Sequence, residues 1–163
     1  MELTERFQKH LDGKLSLLGR LETVLLDERG AIVALDLEAM EQIDLRKREI
    51  IRELEQNGEE GRRIIRELAD EKGLSPDTTL TALLETLPPL QRKPLATLQA
   101  EVLERGKSVD RQIAINRDLL VSSLRTVNAS LDFFHRMFTL GTTYGEGGKI
   151  TEESGVRLVS REA

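Results

Sequence analysis

The sequence predicts an all-α protein: an elongated antiparallel bundle of coiled-coil character, with two long helices and short ones connecting them. Three observations lead there. Apolar residues recur every seven positions (Leu11, Leu18, Leu25, Ile32, Ala39), with Leu15, Leu21 and Leu35 between them, the spacing of a helix seam. Charged residues make up 33% of the chain and aromatics only 3%, a mixture that suits long amphipathic helices and supplies little for a compact β core. No proline follows Pro94, so nothing breaks a helix from there to Leu140.

The first helical block runs from about Thr4 to Gln56. From Ile43 its stripe shifts phase and continues through Ile50 and Leu54. Gly13, Gly19 and Gly30 interrupt it, each costing about 0.8–1 kcal/mol relative to alanine; they mark either a bend or a close helix crossing. Asn57-Gly58 reads as a helix stop, with Gly61 close behind. A short helix then passes through Ile64, Ile65 and Leu68 to Gly73. Ser75-Pro76 offers an N-cap and a first-turn proline, predicting another short helix from Pro76 to Leu87. Pro88-Pro89 ends it. The last helix starts between Pro89 and Pro94 and runs to Leu140, roughly 70 Å at ~1.5 Å per residue, with Gly106 its weak point.

That last helix carries two apolar lines. Ile113, Leu120, Val127 and Phe134, with Leu124, Leu131 and Phe138, form the stripe expected to hold the molecule together. Ile115, Leu119, Phe133, Met137 and Leu140, with Ala129, form a second. One stripe suffices to pack a helix on a neighbour; a second makes the helix central in a bundle or leaves a face for a partner. Asn116 falls in the register of Val102 and Val109, where it either fixes register from within the seam or is exposed. Residues 1–140 are expected to form the helical domain. Residues 141–163, polar and glycine-rich with scattered Ile150, Val156, Leu158 and Val159, are expected to form a mobile tail.

Net charge is −5, which makes nucleic acid a poor partner. The charge divides as −6 over residues 1–81 and +1 over the rest, so the second half meets another protein's apolar surface at less desolvation cost. There is no cysteine, in keeping with a reducing cytosol. No signal-peptide pattern and no run of about eighteen apolar residues occurs, so neither secretion by that route nor membrane insertion is expected.

Candidates for chemistry are few. His10, in His10-Leu11-Asp12-Gly13-Lys14, resembles a phosphoryl-accepting helix histidine, but lysine follows the glycine instead of preceding it; an exposed surface histidine is the expectation. Asp132-x-x-His135 has the spacing of half a di-iron site, but His10 has Phe7 where a second carboxylate would be needed. The clusters Arg46-Lys47-Arg48 and Arg62-Arg63 lie among glutamates and read as solvated intrahelical pairs. No phosphate loop and no His-Glu-x-x-His is present, so neither catalysis, a metal nor a cofactor is expected. Tyr144, the only tyrosine, is either a staple folding back near Phe7 or an exposed anchor of the kind found at binding hot spots.

Asn116-Arg117-Asp118-Leu119-Leu120-Val121-Ser122-Ser123-Leu124, then Val127-Asn128-Ala129-Ser130-Leu131, then Tyr144-Gly145-x-x-Gly148, resembles the C-terminal half of FlgN-type flagellar export chaperones. The N-terminal half is similar in Leu25-Leu26-Asp27-Glu28-Arg29-Gly30-Ala31-Ile32, with Asp36, Leu37 and Lys47 beyond. The resemblance implies a cytoplasmic, ATP-independent, non-enzymatic chaperone. Its clients would be the C-terminal segments of hook-associated (hook–filament junction) proteins, kept from premature assembly and delivered to the cytosolic domain of the type III export gate. Tyr144 is the residue that can match the family's gate-docking tyrosine. With the last helix's second stripe, the expected client-binding residues are Ile115, Leu119, Phe133, Met137 and Leu140. A coiled-coil scaffold, homodimeric through that stripe, is the alternative class; a phosphotransfer module through His10 is the other. The expected packing sets the first block antiparallel to the last helix, with Phe7 near Phe134 and Phe138.

Overall fold

The computed structural model describes residues 3–143, with side chains through residue 139. Four helices follow one another: α1 (Leu3–Ala34), α2 (Leu37–Glu71), α3 (Leu80–Glu85) and α4 (Pro89–Thr143). Among the described residues there is no strand. The all-α class and the bundle of long helices are as the periodicity predicts; the helices that pair antiparallel are not the expected two. The chain divides into two compact units, Met1–Ser123 and Leu124–Ala163.

In the first unit the predicted first block is two helices, and it turns at Leu35-Asp36. Asp36 N–H donates to the Ala31 carbonyl (3.0 Å) and Leu35 N–H to that of Ile32 (3.1 Å), the paired bonds of a Schellman close. Leu35 takes φ 54° to make it. Asp36 then caps α2, its carboxylate accepting from Ala39 N–H at 3.0 Å, which satisfies a donor that the helix start leaves open. The phase shift at Ile43 is the trace of this reversal in the sequence.

α1 and α2 lie antiparallel. Arg6 reaches Glu67 (2.7 Å) and Glu60 (3.4 Å), Arg20 reaches Glu53 (2.6 Å), Arg46 reaches Asp27 (3.4 Å), and Lys47 pairs with Glu28. The first part of α4 runs beside α1 in the same direction: Arg105 meets Glu22 at 3.6 Å, and Asn116 meets the Leu25–Arg29 turn. The expected antiparallel contact of first block with last helix is thereby corrected. Because the first block folds back on itself, the last helix returns to α1 parallel.

The core is one cluster, drawn from Phe7, Leu11, Leu18 and Leu25 of α1, Ile43, Ile50, Ile64 and Leu68 of α2, Leu83 and Leu84 of α3, and Leu95, Val102 and Val109 of α4. The heptad seam of α4 ends on Asn116, 3% exposed. Its Nδ2 donates to the Leu25 carbonyl (2.7 Å) and to Glu28 (2.8 Å), and its Oδ1 accepts from Arg29 Nε (3.1 Å). Glu28 in turn holds Lys47 of α2. One buried amide thus ties three helices in register, the in-seam alternative for this residue.

Asn57-Gly58 does not stop a helix. Asn57 sits in the α2 seam between Ile50 and Ile64, and its Nδ2 donates to the His10 carbonyl at 3.3 Å. Gly61 is buried beneath the His10 ring: a Cβ there would lie 2.4 Å from Nε2. Small residues let α1 and α2 approach, and that packing overrides the local stop signal. The true end comes at Lys72-Gly73, where Gly73 (φ 65°) sends Leu74 N–H back to the Ala69 carbonyl at 2.8 Å.

The helix expected from Pro76 begins later. Ser75 and Thr78 close a turn (2.9 Å), and Thr79 is the cap, its hydroxyl accepting from Ala82 N–H at 3.3 Å. α4 opens at Pro89, inside the predicted window, with the Pro88 carbonyl accepting from Gln91 and Arg92. Phe7 is 1% exposed and stacks on His10 with ring centroids 5.8 Å apart. It borders an interhelical cavity of about 260 Å³ shared with Gly61, Ile65, Leu80 and Val102. Phe134 and Phe138, which the sequence sets beside it, belong to the second unit, where both rings are exposed.

In the second unit the described part is the C-terminal stretch of α4. Ser130 and Thr139 return their hydroxyls to the carbonyls of Thr126 (2.9 Å) and His135 (2.8 Å), leaving the side of the helix to its apolar residues.

Candidate binding face

His10 is half-buried, not a surface residue. Its ring is sandwiched by Phe7 and Gly61, and Nδ1 is buried without a hydrogen-bond partner. Burial first, and the Lys14 ammonium second, hold the imidazole below its ordinary range. A phosphoryl acceptor must present its nitrogen to an incoming donor, and this packing does not. Asp132 and His135 are exposed, and among the described residues no three His, Cys, Asp or Glu side chains gather as a metal site.

The exposed apolar residues of α4 are the more telling feature. In the first unit Ile115 is exposed and Leu119 half-buried. In the second, Phe133 and Met137 are both exposed, four residues apart and so on one face of the helix. Leu140 has no described side chain; α4 continues through residues 141–143, the first three of the predicted tail, and Tyr144 with the rest of that tail lies outside the described residues. The residues assigned to the core stripe are exposed too: Leu131 at 61% is more open than Phe133 at 58%. Leu124, Val127, Phe134 and Phe138 share that exposure. The assignment of Leu120, Val127 and Leu131 to the core is therefore corrected. The buried seam is Leu95, Val102, Val109 and Asn116, and the Ile113–Leu120–Val127–Phe134 series lies four residues out of step with it, a stutter in the heptad.

Phe133 and Phe134 pack edge to face, centroids 5.8 Å apart at 69°, a geometry that holds large rings in place without covering them. Large apolar side chains left in water along one helix are the kind of surface at which proteins meet partners. Both stripes are legible in the sequence, but not which of them is covered. No periodicity could tell them apart, because an unpartnered seam and a packed one are spelled alike.

A helical bundle that exposes large apolar side chains along one helix has the kind of surface that protein-binding modules use. The model of the FlgN protein family matches residues 1–152, and the chain belongs to that family, the flagellar export chaperones. No curated protein and no solved structure matches it. Among the described residues no helix is long and apolar enough to cross a membrane.

Proposed function

We propose that this chaperone captures the C-terminal helical segments of hook-associated proteins on the exposed apolar face of α4. It keeps them from assembling early and delivers them from the cytoplasm to the export gate through Tyr144. The observation that carries the capture step is the exposure of the large apolar residues Leu124, Val127, Leu131, Phe133, Phe134 and Met137. An amphipathic helix laid along such a face buries its own apolar stripe against these side chains. Phe133 and Met137 are the anchors in the second unit. Ile115 and Leu119 contribute from the first, and Leu140 extends the same line in sequence. Neither step calls for a cofactor or for ATP.

Delivery needs an element that stays available while the face is occupied. Tyr144, between Thr143 and Gly145, has one large amphipathic ring and little neighbouring bulk. Titration of a purified C-terminal segment of a hook-associated protein against Phe133→Ala/Met137→Ala tests capture. Affinity is expected to fall by about 2 kcal/mol or more, as for a hot spot, with an unchanged melting temperature. Wild-type affinity in that variant sinks the proposal. Tyr144→Ala is expected to bind the segment normally but to lose binding to the gate's cytosolic domain and to slow export. Loss of client capture in that variant would make the tyrosine a structural staple. A coiled-coil scaffold would use the same face for a homodimer; a solution mass independent of concentration counts against it.

A further inference from the structure

The turn between α1 and α2 is apolar where helical hairpins ordinarily turn polar. Val33, Leu35 and Leu37 are 70%, 56% and 72% exposed, while Ile32 and Ile43 beside them are buried. The local core is therefore filled, and three large side chains are left over. Leu35 occupies the left-handed position of the helix close (φ 54°), where glycine is the usual residue because a Cβ is strained there. A branched apolar side chain held at that cost, and then left in water, gives the first unit nothing.

The stretch of chain that makes this tip carries one sign of charge. From Gly30 to Leu45 the chain holds four acids, Asp36, Glu38, Glu41 and Asp44, and no Lys, Arg or His. Asp36 caps α2 and Asp44 pairs with Arg48; Glu38 and Glu41 are exposed. The nearest bases on either side are engaged, Arg29 on Asn116 and Arg46 on Asp27. We infer that the α1–α2 tip is a second docking surface, made of residues other than those proposed to capture the client, for a protein segment whose apolar residues are flanked by lysine or arginine. A two-fold contact between copies of this chain would set these acids against each other, and an anionic membrane surface meets the same repulsion.

The test uses two synthetic amphipathic helical peptides with the same leucine face, one flanked by lysine and one by glutamate, titrated into the full chain by fluorescence anisotropy. The lysine peptide is expected to bind about tenfold more tightly than the glutamate peptide, and to weaken as salt rises from roughly 0.05 to 0.5 M. Val33→Ser/Leu37→Ser is expected to reduce its affinity about tenfold, while Phe133→Ser/Met137→Ser leaves a tip-bound fraction intact. Leu35→Gly guards against misfolding as the cause: it relieves the left-handed strain, so the protein melts no lower, yet peptide binding falls. Equal binding of the two peptides, no binding of either, or full binding to the Val33→Ser/Leu37→Ser variant overturns the proposal.

Discussion

His10 and Gly61 are a matched pair, and the match has consequences that can be measured. The unfolded chain takes up a proton on His10 near pH 6.5, whereas in the folded protein burial and Lys14 delay that uptake to lower pH. Between those two values the unfolded state holds more protons, so stability rises with pH across that window and is lost on acidification. Arg6, Lys9 and Lys14 of α1 and Arg62 of α2 line the spaces around the ring, with Glu60 the acid among them. Urea unfolding between about pH 5 and 7 should show the slope, and His10→Gln should flatten it; an unchanged slope in that variant would acquit His10. The glycines separate in the same way. Gly30 has open space around its missing side chain, so Gly30→Ala should stabilise by about 0.8–1 kcal/mol through helix propensity alone. Gly61→Ala should instead cost about 1–3 kcal/mol, because a Cβ 2.4 Å from Nε2 displaces a half-buried ring. Thermal melts of the two variants moving in the same direction would contradict that packing. Asn116→Ala, which strips partners from Glu28 and Arg29 together, should cost about 1–3 kcal/mol.

Between the elements, what separates core from surface is position along α4. Leu25 is 1% exposed and sits in the core cluster, so Leu25→Ala should cost about 2–5 kcal/mol. Leu131→Ala removes an exposed side chain and should leave stability within roughly 0.5 kcal/mol of wild type. Chemical denaturation of the two variants decides it; a large loss from Leu131→Ala would mean that the face is covered in the free protein. The reversal at Leu35-Asp36 is the clearest case of a feature half-legible in sequence. Asp36 is a good capping residue and the apolar stripe changes phase just after it, but the left-handed position holds leucine, which hides the turn. Asn57-Gly58 misleads in the other direction. Local chemistry there favours a helix end, and only the crossing with α1 turns the same residues into contacts.

For the molecule as a whole, the division into Met1–Ser123 and Leu124–Ala163 sets the buried core in the first unit and the proposed anchors Phe133 and Met137 in the second. Every member of the core cluster lies at or before Val109, and the last buried tie is Asn116. A chain ended after Ser123 is therefore expected to fold, melting by circular dichroism within a few degrees of the full protein, and to lose client binding. An unfolded truncated chain would show that the second unit supplies stability after all.

The sequence by itself determined the helical class, the family and the window in which α4 begins, and it nominated the proposed anchors Ile115, Leu119, Phe133, Met137 and Leu140. All of these depend on periodicity, capping residues or motif order, which are local properties of the chain. Tertiary structure alone decided that α4 runs parallel to α1, that Asn116 is buried, that His10 lies over Gly61 and that Leu131 is exposed. Whether an apolar stripe is covered depends on which helix arrives beside it and how far that helix extends. That is a fact about the partner helix, and the stripe's own residues do not encode it.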